Sequence, residues 1–170
     1  FLKMRTKYDS DEALVLTDKV MDRFMTASYD ESCSLAEEKG SFPIFNAETH
    51  FKSAYVKRLP EHIQNRIKKT GIRNIAIHAI APTGSLSCVA GCSSGCEPVF
   101  MMHHIRKTNL GTAKKVEEHE VWHSVAKEYA EKFNVSFDKL PDFFVSSHQV
   151  SPEYRIKMQA VLQNKIDQSI

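Results

Sequence analysis

The run Asn74-Ile75-Ala76-Ile77-His78-Ala79-Ile80 is short, rich in Ile and interrupted only by His78, and Pro82 closes it. That pattern suits a buried strand better than a helix of full length. Ala81 to Phe100 follows as APTGSLSCVAGCSSGCEPVF, with five hydroxyl residues and three glycines where a strand turns into a helix. A helix starting near Thr83 or Gly84 leaves the N–H groups of Gly84, Ser85 and Leu86 without carbonyl partners. Those donors, the positive end of the helix dipole and the hydroxyls of Thr83, Ser85 and Ser87 suit a phosphate. Gly84, lacking Cβ, lets a ligand approach the backbone closely. No lysine occurs between Ala81 and Phe100, which excludes the Gly-x-x-x-x-Gly-Lys-Ser/Thr phosphate loop. For Pro-Thr-Gly-Ser alone, a plain N-cap at Thr83 on an ordinary helix is the commoner reading, and spacing does not separate it from an anion site.

APTGSLS followed by SSGCEPVF resembles the substrate-phosphate segment of the large catalytic subunit of ribonucleotide reductase, most closely the adenosylcobalamin-dependent (class II) branch. Tyr8-Asp9-Ser10-Asp11-Glu12-Ala13, Leu35-Ala36-Glu37-Glu38-Lys39-Gly40-Ser41-Phe42-Pro43, Gly71-Ile72-Arg73-Asn74 and Tyr154-Arg155-Ile156-Lys157-Met158-Gln159-Ala160, with Gln163 and Asp167, resemble the same family in the same order. The similarity covers almost the whole chain. It implies an α/β fold, a fragment of the ten-stranded ribonucleotide reductase barrel with helices packed outside, and a single fragment over 1–170 from the C-terminal part of the catalytic domain. It also implies that Pro82, Thr83, Gly84, Ser85 and Leu86 bind the substrate's phosphates through backbone N–H groups and hydroxyls.

The implied activity is conversion of ribonucleoside di- or triphosphates to deoxyribonucleotides, for DNA replication, by an oxidoreductase using thiyl-radical chemistry. Adenosylcobalamin, with its cobalt, is the implied cofactor of the full-length enzyme and is not placed on this fragment. The implied partners are the ribonucleotide substrate, the remainder of the catalytic chain, a thioredoxin-type reductant and a second copy in a homodimer. The family's radical cysteine lies in an Asn-x-Cys-x-Glu loop, and no such string occurs here. No catalytic residue is therefore assigned, and the fragment by itself is expected to be inactive. The start at Phe1 without methionine and the stop at Ile170 within a helical pattern fit an excised piece. The alternative is a stand-alone, non-catalytic nucleotide- or phosphate-binding module of the same fold.

Formal net charge is only +2, from 23 basic and 21 acidic residues, so electrostatics make no case for nucleic acid or a membrane surface. No apolar stretch approaches the roughly 20 residues of a membrane span, and Phe1-Leu2-Lys3-Met4-Arg5 lacks a signal peptide's apolar centre; a cytoplasmic location is the expectation. Three of the four cysteines cluster at Cys88, Cys92 and Cys96. On an unbroken helix they would share a face and invite a metal with His103 and His104. Gly91 and Gly95 argue against that helix, so no metal is assigned, and the thiols are read as buried small hydrophobes. A metal-binding structural module is the last-ranked reading, and Cys33 is read as a packed thiol.

Elsewhere, a long helix is expected from a cap at Asp9 or Ser10, with Glu12 completing a capping box, to a stop before Gly40. Its core face is Ala13, Leu16, Val20, Phe24 and Ala27 by spacing. Asn46 caps a short helix through Tyr55, and a second helix runs roughly from Pro60 to Thr70 and stops at Gly71. Lys57, Arg58, Arg66, Lys68, Lys69 and Arg73 read as a solvated face. Glu97 is expected to accept backbone N–H bonds and fix its loop. Val99 to Ile105 reads as a second barrel strand, Thr108 to Lys115 as a polar loop, and Glu117 to Phe133 as a helix with Val121, Val125, Tyr129 and Phe133 buried and Trp122 beside them. Ser151-Pro152-Glu153 starts a last helix toward Ile170.

Overall fold

In the computed structural model, residues 4–109 and 116–169 are described. They form α1 (Asp11–Lys39), α2 (Ala47–His50), α3 (Glu61–Thr70), α4 (Gly84–Ala90), β1 (His103–Asn109), β2 (Val116–Trp122), α5 (Ser124–Phe133) and α6 (Pro152–Gln163). The residues group into two compact units, one of Phe1–Ala13 with Pro82–Lys157 and one of Leu14–Ala81 with Met158–Ile170.

The second unit is built on α1. The Ser10 hydroxyl donates to the Lys7 carbonyl and accepts the Ala13 N–H at 3.1 Å, so Ser10 is the cap and Glu12 falls one position short of a capping box. The buried face of α1 is Ala13, Thr17, Met25, Tyr29, Cys33 and Ala36, in steps of mostly four. Val20 and Phe24, expected in the core, are more than half exposed. The stripe is displaced because the core is set by what packs beside α1: Met25, Tyr29 and Cys33 join Val56, Leu59, Ile63, Ile67 and Ile72 in one cluster. Cys33 is fully buried, and burial pushes its thiol up.

α3 starts after Pro60, whose carbonyl accepts the N–H groups of Ile63 and Gln64 at 2.9 and 3.0 Å. It ends at Gly71, with φ 75° and its N–H on the Ile67 carbonyl, as the Pro and Gly letters predict. Asn46 caps α2 by accepting the Thr49 N–H at 3.0 Å, although α2 stops at His50 rather than running on to Tyr55. Of the basic cluster, Arg66 is no free surface charge: its guanidinium holds the Asp30 carboxylate and carbonyl and the Ser34 hydroxyl.

The buried strand expected over Asn74 to Ile80 is not formed: the segment pairs with no strand among the described residues, Ile75 is 68% exposed, and only His78 is buried. Its donors find other partners. The Ile77 and His78 N–H groups each donate to the Asp167 carboxylate at 2.8 Å, and the Ile80 N–H reaches the Ser169 carbonyl at 3.4 Å. The Tyr29 hydroxyl donates to the same carboxylate at 2.8 Å.

In the first unit, β1 and β2 form an antiparallel pair with register from His103 opposite Trp122 to Asn109 opposite Val116. The strand expected over Val99 to Ile105 begins at His103, and the first turns of the expected helix from Glu117 are instead strand β2. The cause is cross-strand chemistry. His103 stacks on Trp122 at 3.6 Å between ring centroids, and Lys107 pairs with Glu118 at 2.7 Å; such opposed pairs stabilise a ladder that periodicity within one segment does not reveal. The expected loop at Thr108 to Lys115 lies mostly outside the described residues, with Thr108 and Asn109 inside β1. α5 buries Ala126 and Ala130, and Phe133 is largely exposed. Ser151 caps α6, accepting the Tyr154 N–H at 3.3 Å, and the helix ends at Gln163, short of Ile170. No helix among the described residues is long and apolar enough to cross a membrane.

Three donors converge on Asp167, and an amide supplies an acceptor at only one of its two positions. Asp167→Asn should therefore destabilise the chain by about 2 kcal/mol and Asp167→Ala by about 3 kcal/mol or more, from buried donors left unpaired, with a matching drop in urea midpoint. A Cβ on Gly71 would sit 1.9 Å from Ser41 Oγ, at φ +75°. The Ser41 hydroxyl can rotate away, but the backbone cannot, so Gly71→Ala should cost about 1–3 kcal/mol. A Cβ on Gly84 meets nothing within 4 Å, and Gly84→Ala should leave the same midpoint unchanged.

Candidate functional site

The expected anion-binding turn lies in the first unit. Thr83 follows Pro82 with φ −125° and ψ 39°, and α4 begins at Gly84, as the sequence implies. The first intrahelical bond is Ser87 N–H to the Thr83 carbonyl at 2.8 Å. The N–H groups of Gly84, Ser85 and Leu86 thus precede the ladder, where helix geometry leaves donors open. Pro82, Gly84, Ser85 and Leu86 are exposed, and the space where a Gly84 Cβ would stand is clear. The structure therefore brings Pro82 through Leu86 together in one accessible turn.

Thr83 does not cap this helix. Its N–H donates to Ser94 Oγ at 3.1 Å, and its own Oγ1 accepts the Gly95 N–H at 3.2 Å. The two hydroxyls stand 3.4 Å apart. The side chain that would ordinarily occupy the first-turn donors is thus turned toward the Ser93-Ser94-Gly95 loop. Ser87 is buried and donates to the Gly84 carbonyl at 2.8 Å, so its hydroxyl faces into the helix rather than toward a ligand.

Further contacts hold the segment. The Glu97 N–H closes a turn onto the Ser94 carbonyl at 3.0 Å, and the Tyr8 hydroxyl donates to the Cys96 carbonyl at 2.7 Å. Burial, then the neighbouring Cys96 and Glu97, push the Tyr8 hydroxyl up to about 12, so it remains a donor at neutral pH. At the other end of α4, Gly91 takes φ +66° and Ser124 donates to its carbonyl at 2.9 Å. The Glu97 side chain is exposed and makes no hydrogen bond with described residues, contrary to the loop-fixing role expected for it. Its N–H does that work.

The three clustered cysteines share no helical face, because α4 ends at Ala90. Cys88 and Cys92 are exposed and Cys96 is half-buried, where buried thiols were expected. The cysteines sit outside the small core of this unit because α4 turns only Ser87 inward. Cys88 instead lies against the Arg106 guanidinium, 3.5 Å from Sγ to Nη1, and Cys96 is pushed up by burial. His103 and His104 leave opposite faces of β1, as strand alternation requires: one ring stacks on Trp122, the other meets Phe100 edge-on.

Ser94, Gly95 and Tyr8 are the residues that local sequence reading passed over. The signal for Ser94 was present in the hydroxyl-rich Ser-Ser-Gly, yet its partner lies 11 positions away, beyond the reach of any turn rule. Chemically, the site offers exposed backbone donors and the Ser85 hydroxyl, with no basic side chain between Ala81 and Phe100. Such a turn can hold an anion by backbone N–H groups.

A family model described as the ribonucleotide reductase barrel domain matches residues 1–170. Among curated relatives, the chain is 29% identical to a vitamin B12-dependent ribonucleoside-diphosphate reductase of Thermoplasma acidophilum, over 99% of this chain and 22% of the relative. It is 26% identical to the Mycobacterium tuberculosis protein of the same name, over 96% of this chain and 23% of the relative. A ribonucleoside-diphosphate reductase subunit alpha of Helicobacter pylori is 27% identical over 95% of this chain and 21% of its own length. The chain thus spans about a fifth of the length of these relatives. With the match running from the first residue to the last, the chain belongs to the ribonucleotide reductase barrel-domain family.

Proposed function

We propose that this chain is the part of a ribonucleotide reductase that holds the phosphates of the ribonucleotide substrate, at the turn Pro82, Thr83, Gly84, Ser85 and Leu86, with the N–H groups of Gly84, Ser85 and Leu86 as the donors and Thr83 as the residue whose engaged side chain leaves them open. The observation that carries the reading is the diverted hydroxyl of Thr83. It bonds Gly95 instead of the first turn of α4, so the open donors keep their capacity for an anion. Phosphate oxygens suit them by number and charge.

The parent protein in this reading reduces ribonucleoside diphosphates, the substrate in the names of the Thermoplasma and Mycobacterium relatives. The same names carry vitamin B12, and adenosylcobalamin is the proposed cofactor. When bound it supplies radical initiation; no described residue of this chain is assigned to hold it. The chain's own contribution is positioning. A substrate anchored by its phosphates presents its ribose in a fixed place, and orientation of that kind lowers barriers by about 7–11 kcal/mol in the best cases. The described residues are read as one piece of an α/β barrel of ten strands, inactive without the remainder of the chain, and working in the cytoplasm with a thioredoxin-type reductant.

In the full-length enzyme, Gly84→Leu should raise the dissociation constant for a ribonucleoside diphosphate about tenfold or more, a loss of about 1.4 kcal/mol. Binding of the phosphate-free ribonucleoside should not change. Equal affinity of wild type and Gly84→Leu for the diphosphate, by calorimetry, removes the assigned role. Ser94→Ala should release the Thr83 hydroxyl to cap α4 in competition with phosphate and weaken the diphosphate about threefold, on the order of 0.6 kcal/mol, within the range of a neutral cap bond. Adding Thr83→Val to Ser94→Ala removes the competing hydroxyl and should restore the affinity toward the wild-type value, which the same titration checks.

A further inference from the structure

His78 is a buried ionisable group for which phosphate binding has no use. It lies in the unit of Leu14–Ala81 and Met158–Ile170 and is 7% exposed. Its Nε2 is 2.7 Å from Ser28 Oγ, and the Ser28 hydroxyl donates to the Phe24 carbonyl. A hydroxyl whose proton is committed to a carbonyl can only accept from the ring, so the neutral imidazole carries its proton on Nε2 and a bare lone pair on Nδ1. That Nδ1 is enclosed and has no hydrogen-bond partner. The rings of Phe24 and Tyr29 stand 4.9 and 6.1 Å from it by centroid.

The main chain of the same residue is tied differently. Its N–H donates to Asp167 Oδ1 at 2.8 Å, and its carbonyl accepts the Gln168 N–H at 3.1 Å. The neighbouring Ile77 N–H and the Tyr29 hydroxyl share Asp167 Oδ2. The side chain is thus seated as a neutral ring, while the backbone is fastened to a carboxylate.

A second proton would go to Nδ1, where nothing accepts it, and a buried charge without a partner is strongly disfavoured. From α1, the ring meets Ser28, Phe24 and Tyr29, none of them charged; burial, then the Asp167 bond, holds Tyr29 well above its ordinary range. From the turn after α6, it meets the Asp167 carboxylate, which favours the cation. Burial outweighs that attraction and holds His78 below its ordinary value of 6.5.

We infer that His78 is an acid-sensitive latch on the segment Asn74–Ile80. Protonation at Nδ1 drives the imidazolium from its seat against Ser28 and Phe24. The carboxylate it then turns to is Asp167, whose oxygens are the ones holding the Ile77 and His78 N–H groups, and the segment is released. The sign follows from the lowered value: the latch is closed above the ordinary imidazole range and opens as pH falls through the lower value of the folded chain. The segment freed runs in sequence straight into Pro82.

The test is amide hydrogen exchange of the full-length enzyme, corrected for intrinsic rates, between about pH 7.5 and about pH 5.5. Peptides over 74–80 should lose protection about tenfold at the lower pH, while peptides over α3 keep theirs. His78→Gln and His78→Asn should each give a flat profile. His50→Gln should keep the wild-type profile, although His50 is likewise held low by burial in the same unit. Wild-type protection over 74–80 that is equal at both pH values overturns the latch, and this arm needs no variant to fold. So does an equal loss in the His78 variants, or a loss over α3 in step with 74–80.

Discussion

One carboxylate, Asp167, does for the segment Asn74–Ile80 what a neighbouring strand does in a sheet. Only His78 of this segment is buried, and Ile75 is 68% exposed; the N–H groups that turn away from water still need partners, and among the described residues no strand supplies them. Asp167 accepts two of those N–H groups and the Tyr29 hydroxyl. The turn that carries Asp167 is fastened in turn. The Tyr55 hydroxyl donates to the Lys165 carbonyl, Arg58 reaches Asn164, and Lys165 bridges Asp18 and Asp22 on α1. Burial pushes Tyr29 and Tyr55 upward, so both phenols stay protonated and remain donors across the physiological range. The arrangement depends on that constancy, because a deprotonated Tyr29 would face a carboxylate with no proton to share.

Helix ends marked by a cap or breaker were legible, because a cap is a local device; the ends at His50, Ser124 and Gln163 were not. Asn46, Pro60 with Gly71, and Ser151 each satisfy or terminate backbone groups within four residues of themselves, and their letters carry that information. Which face of α1 is buried was not legible to the same degree. Leu16, Val20 and Phe24 follow helical spacing as well as Met25, Tyr29 and Cys33 do, and the choice rests with Ile63, Ile67 and Ile72, distant in sequence. β2 shows the same limit. Glu117 to Trp122 reads as the start of a helix until His103 and Lys107 supply the partners for Trp122 and Glu118.

The turn Pro82–Leu86 divides along the same line. Gly84 marks where α4 starts, and the structure places it as read. The role of Thr83 was open, since a threonine before a helix is an ordinary cap and also an ordinary anion ligand. A cap and a bound anion satisfy the same N–H groups, so a turn that caps itself competes with its own ligand. Ser94 and Gly95 remove that competition by holding the Thr83 hydroxyl elsewhere. The distinction between a capped helix and a phosphate site therefore resides in a loop that follows α4, and Tyr8 and the Glu97 N–H matter because they hold that loop in place. Whether such a turn is open to an anion depends on residues outside it, since the backbone donors themselves are present in every sequence that forms the helix.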